Sequence, residues 1–159
     1  MFFLGTPFTL SFNPNTVVNG GVRQDERNLV VSIPGSLTGP GQTHSIRKLV
    51  QDWYRDQASR IIGEKIKEYA LVLDVEPPPF RLRNIRCRWG SCNHENNLNF
   101  NIRLVMAPIG LVEYVVMHEL CHIRHKNHSR AFWEALREVM PDYRERRDLL
   151  KSEGHRYVL

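Results

Sequence analysis

The sequence predicts an α+β domain built around one buried helix that carries histidines. Three observations support this. Apolar residues recur at three- and four-residue steps over about residues 43–73 and again from residue 111 onward, the period of helices with one buried face. Strand-like alternation bounded by Asn, Pro and Gly fills residues 1–42 and 80–102. A continuous apolar run, Val115-Val116-Met117, leads directly into His118-Glu119-x-x-His122. The expected layout is an N-terminal β-hairpin region, residues 1–42, packed on a main unit of residues 43–159. Its sheet should be small and mostly antiparallel, with several supporting helices.

Composition bounds what such a chain can be. At 159 residues, 42% hydrophobic and 25% charged, it is long enough to bury a proper core and is too apolar for disorder. A formal net charge of +5 and a pI near 9.4 permit an acidic partner or nucleic acid but demand neither. Three cysteines, Cys87, Cys92 and Cys121, make an odd number with no C-x-x-C pair, which argues against a secreted disulfide scaffold and favours a reducing cytoplasm. The opening MFFLGTPF lacks a basic leader, and no run approaches the roughly 18 apolar residues of a membrane helix. A soluble, cytoplasmic protein with no membrane partner is expected.

In chain order, Phe8, Leu10 and Phe12 alternate with polar neighbours up to Asn13-Pro14-Asn15, and Val17-Val18 leads to a hairpin-type turn at Asn19-Gly20-Gly21. A further strand, residues 29–33, ends at Pro34-Gly35. A small antiparallel sheet follows from this. From about Thr43 to Leu73, Ile46, Leu49, Val50, Trp53, Ile61, Ile62, Ile66, Tyr69 and Leu73 form one apolar stripe opposite basic residues. Pro77-Pro78-Pro79 halts that helix. Residues 80–102 read as a hairpin, with a strand over residues 80–89, a turn over 90–97 and a return strand bearing Leu98, Phe100 and Ile102 on one face. Arg81, Arg83, Arg86, Arg88 and Arg103 crowd it, as on a charge-protected strand edge or a nucleic-acid groove. A helix over about 111–125 follows. Ser129 can cap the next one, and Asp142 with Glu145 resembles a capping box for the last, which closes near Gly154.

The chemistry sits on the helix at 111–125. Residues four apart on a helix share a face, so His118 and His122 can hold one metal ion. Glu119 lies about 100° round the same helix, where a carboxylate can take a proton from a water activated by the metal. A hydrolytic zinc site needs a third protein ligand and one open position. His128 is the first choice, because a turn at residues 125–127 can swing it over the helix end. Glu134 and His125 are rivals. Cys121 falls on another face and reads as a small core residue, and Cys87, Cys92 and His94 offer too few ligands at the wrong spacing for a second zinc. A nucleic-acid-associated module with a structural zinc is the alternative to an enzyme.

Wider blocks carry a family resemblance. RWGSC at 88–92, LNFNIRLVMAP at 98–108, VVMHELCHIRHKNHSRAFW at 115–133 and MPDYRERRDLL at 140–150 together resemble the YgjP-like metallopeptidase family, which is similar to SprT-like and other small zincins. The resemblance spans about residues 45–152, and the N-terminal region is short for the family. It implies a zincin-like core, zinc held by His118, His122 and His128, Glu119 as general base, and a protein or peptide substrate. It also implies a sheet edge that pairs with extended substrate. The strand bearing Leu98, Asn99, Phe100 and Asn101 is the candidate for that β-augmentation.

Overall fold

The structure is a computed structural model and describes residues 1–14, 20–85 and 87–159. The expected turn at residues 15–19 and Arg86 lie outside the described residues.

The N-terminal segment is β-structure. Strands β1 (Phe2–Phe3) and β2 (Thr6–Pro7) make a minimal antiparallel hairpin around Leu4 and Gly5, both with left-handed backbone. At Gly5 (φ +79°) a Cβ would also sit 2.8 Å from the Pro108 ring, so only glycine fits. The N–H groups of Leu4 and Gly5 donate to the carbonyls of Val105 and Met106, which ties the chain start to the segment that launches the histidine helix.

Strand β3 (Thr9–Asn13), β4 (Gly21–Asp25) and β5 (Asn28–Ser32) form a sheet in the order β3-β5-β4. The all-antiparallel expectation for this region is corrected here, because β3 runs parallel to β5 while β4 pairs antiparallel. The tight β4–β5 turn fills one edge of β5, leaving β3 the other. β5 takes the centre because it holds the apolar residues, with Leu29, Val31 and the following Ile33 fully buried.

Helix α1 spans Gly39–Val72, with a proline in its first turn. Its buried stripe is Val50, Tyr54, Ala58, Ile61, Ile62, Ile66 and Ala70. Tyr54 lies at its centre, fully buried, with its hydroxyl donating to the Phe2 carbonyl, while Trp53 lies at the margin of the core.

The second sheet corrects the expected hairpin. Strand β6 (Phe80–Arg83) runs parallel to β8 (Leu98–Asn101), and β7 (Gly90–Cys92) is the antiparallel neighbour, giving the order β6-β8-β7. The hairpin partner of β8 is therefore the three-residue β7, closed by a turn in which Asn93 accepts from the N–H of Asn97. β8 goes to the middle because Leu98 and Phe100 are fully buried, whereas Arg81 and Arg83 leave β6 a charged edge. Ile102 does not continue the strand. The Asn101 side chain accepts from the N–H of Arg103 and starts a 3₁₀ helix, Ile102–Met106.

Helices α2 (Ile109–Arg124), α3 (Arg130–Val139) and α4 (Tyr143–Glu153) complete the chain. Asp142 forms no side-chain cap on α4. It pairs with Arg146 at 2.8 Å, so the expected capping box is absent, and Gly154 continues in right-handed backbone into a short 3₁₀ turn. α2 lies against α1, α3, α4 and β7, with Val112, Val115, Val116, Met117 and Leu120 in the shared core. Glu113 fastens it to both flanking helices, accepting from Lys65 at 2.9 Å and Arg146 at 3.0 Å. Among the described residues, no helix is long and apolar enough to cross a membrane.

Candidate metal centre

The buried environment of α2 makes each polar side chain on it costly unless it has a use. Two of them, His118 and His122, stack one turn apart with ring centroids 5.0 Å from each other. The helix ends at His125, whose backbone turns extended (φ −125°) and aims its carbonyl back at His122. The His122 Nδ1 lies 2.9 Å from that oxygen. A carbonyl only accepts, so Nδ1 carries a proton, and Nε2 is the ring atom available to a metal. His125 thus serves through its backbone.

The chain then reverses, and Ser129 caps α3 by accepting from the Phe132 N–H, which fixes the direction of return. His128 arrives with its Nε2 2.9 Å from the Nε2 of His118, and the ligand atoms of His118, His122 and His128 all lie within 4.8 Å of one another. Phe132 is fully buried beneath the cluster, 4.6 to 4.9 Å from each ring. Trp133 stacks on His128 at 5.3 Å and 28°. Burial, with the neighbouring imidazoles adding to it, pushes His118 down to about 3, and burial also lowers His128. The neutral ring is therefore favoured at His118 and His128. The Nδ1 of His118 is buried with no hydrogen-bond partner among the described residues. Three imidazole ligand atoms within 4.8 Å of one another fit a zinc ion with a position left open.

Glu119 is 6% exposed and faces β7. Burial raises its carboxyl to about 8, against the opposing charge of Arg88 and a hydrogen bond from the Cys92 backbone. A Cβ on Gly90 would lie 2.7 Å from the Glu119 carboxylate oxygen, so β7 admits the carboxylate only because residue 90 has no side chain.

The family model for the YgjP-like metallopeptidase domain matches residues 1–153. The chain belongs to this family. It is accordingly a peptidase of α+β fold, with a metal cofactor and a protein or peptide substrate. The match begins at residue 1, so the N-terminal strands expected to lie outside the resemblance are part of the family domain. Among solved structures, the chain is similar to the crystal structure of the metallopeptidase zymogen of Pyrococcus abyssi abylysin, with a TM-score of 0.54 and 17% identity over 58% of this chain and 93% of that one. This likeness is one of fold. No curated protein matches the chain.

Within this YgjP-like domain the three histidines lie together, while Glu119, on the same helix as two of them, faces Gly90 of β7. Glu134 does not join them and pairs with Arg130 at 2.7 Å. Cys121 is buried in the core. The strand Leu98, Asn99, Phe100 and Asn101 is not an edge. Its backbone is hydrogen-bonded by β6 on one side and β7 on the other, and Leu98, Phe100 and Asn101 are buried, so it offers no free edge to a substrate. The edge strand facing Glu119 is β7. Gly90 and Cys92 lie against Glu119, and the sequence held one signal of it, since a glycine isolated within a strand marks a close approach, here that of the Glu119 carboxylate. Arg103 donates to the Ile85 carbonyl at 2.6 Å and lies over the Trp89 ring.

Proposed function

We propose that this peptidase is zinc-dependent, with zinc held by His118, His122 and His128 and with Glu119 as general base in peptide-bond hydrolysis. The observation that carries the reading is the convergence of three imidazole nitrogens within 4.8 Å beside a buried carboxylate on the same helix. Bound there, zinc supplies a Lewis acid that polarises a carbonyl and lowers the pKa of water toward about 7. Glu119 accepts a proton from the attacking water. As the amide C–N bond breaks, it delivers that proton to the leaving nitrogen. The Cys92 N–H orients the carboxylate, and the absence of a side chain on Gly90 leaves room for it. His122 is held in its ligating tautomer by the His125 carbonyl. In this reading the outer backbone edge of β7 aligns extended peptide, the role expected of residues 98–101.

The same reading places residues 1–42 as a β-rich region of one catalytic unit with residues 43–159, supported by Leu29, Val31 and Ile33 lying in the same buried cluster as α2. A cytoplasmic setting is supported by the three free cysteines. Nucleic acid is not required.

Activity on an unfolded protein, together with zinc analysis, tests the proposal. Glu119→Gln keeps zinc and loses hydrolysis, and His118→Ala loses both. A glutamine variant that cleaved at the parent rate would refute the role of Glu119.

A further inference from the structure

The geometry points to a subsite for an acidic side chain of the peptide substrate in the arginine-lined cleft between α3 and α4, beside His128. The inference rests on the peptidase reading and adds a substrate class to it.

Arg130, Trp133, Glu134 and Arg137 recur at positions i, i+3, i+4 and i+7 of α3 and so share one face. The first turn of α4 brings Arg144 and Arg147 opposite them, and the cleft between has a volume of about 490 Å³. It starts at the metal centre, since its wall residue Trp133 stacks on His128. From Arg130 to Arg137 it runs about 10 Å along α3, the span of about three extended residues. A side chain in it therefore belongs to a residue within about three positions of the bond cut.

The charge is one-sided. Four guanidinium groups line the cleft against one carboxylate, Glu134, which is already paired with Arg130, while Arg147 pairs outside it with Asp148 at 3.1 Å. Arg144 donates to the Tyr143 hydroxyl and feels the charge of Asp148, and Arg137 has no hydrogen-bond or ion-pair partner among the described residues. A carboxylate is the ligand such guanidinium groups bind best in a peptide, through charge-assisted and bidentate hydrogen bonds. The aromatic rings argue against a nucleic-acid strand. Trp133 is already stacked on both His128 and Tyr143, with Arg147 over it, so it offers no open face for a base.

The test uses the zinc-loaded full chain and a set of fluorescence-quenched ten-residue peptides, each carrying a single Glu or Gln at one position around the scissile bond. At one position within three residues of that bond, Glu raises kcat/KM about tenfold over Gln. In the double variant Arg137→Gln, Arg144→Gln the ratio falls below about twofold. Raising the salt reduces the parent's ratio too, an arm that needs no variant to fold. No preference at any position, or a preference that survives the double variant, overturns the subsite. Should no peptide be cut at all, the peptidase reading is at fault, and the subsite is judged separately by binding. Zinc-loaded Glu119→Gln protein then binds the Glu peptide more tightly than its Gln twin, followed by tryptophan fluorescence, and the Arg137/Arg144 substitutions erase the difference. Equal binding of the twins, or tighter binding of a ten-residue oligothymidylate, overturns it.

Discussion

Gly90→Ala separates the general-base role proposed for Glu119 from the fold. The added Cβ would lie 2.7 Å from both Cγ and Oε1 of Glu119 and 3.0 Å from its Cδ, where ordinary contact begins at 3.4 Å. The carboxylate must retreat by about 0.7 Å, and a misplacement near 1 Å at a reacting group costs on the order of 10²-fold in rate. The expected fall in kcat is therefore roughly 30- to 100-fold. The fold should hold, because the clashing atoms all belong to one side chain and none to backbone, although moving the buried Glu119 has a cost. Gly90 is also not in left-handed backbone, so alanine restricts the unfolded chain and offsets the cost of the contact by up to about 1 kcal/mol. Cleavage of a quenched peptide, bound zinc by mass spectrometry and melting by calorimetry read the three quantities separately. Activity within about threefold of the parent would refute the argument, as would a loss explained by missing zinc or a lowered Tm.

Further expectations concern the third ligand and the framework. His128→Ala weakens zinc at least about 100-fold, whereas Glu134→Ala and His125→Ala leave it within about threefold, because Glu134 pairs with Arg130 and His125 contributes only its carbonyl; competition with a chelator reads this. Glu113→Gln costs about 2 kcal/mol at pH 7, because the carboxylate receives hydrogen bonds from Lys65 and Arg146. Burial pushes Glu113 up, but those two partners outweigh it and hold it below its ordinary 4.5. Its stabilisation is thus complete above pH 4.5 and is lost as pH falls through the lower folded value, so denaturation curves of parent and variant converge in acid. Tyr54→Phe strands the Phe2 carbonyl and costs about 1 to 2 kcal/mol in urea unfolding while leaving zinc content intact.

Local chemistry in the sequence determined the helices and the reactive residues. Three- and four-residue periodicity located α1 and α2 within a few residues, Ser129 marked the start of α3, and the spacing of His118, Glu119 and His122 put two imidazoles on one helical face beside a carboxylate. The third imidazole was legible as a candidate, because a turn just past the helix had few other places to send His128. Strand pairing was not legible in the same way, since alternation tells which face of a strand is buried but not which neighbour it takes. β8 is central and β7 is the edge only because long-range packing buries Leu98 and Phe100 in the common core, leaving the glycine-bearing β7 beside Glu119. Tertiary structure alone decided the meaning of Gly90, since the group it makes room for lies 29 residues further along the chain. It also decided the charged cleft, because Arg137 on α3 and Arg144 on α4 become neighbours only when the turn at Pro141 folds the two helices together.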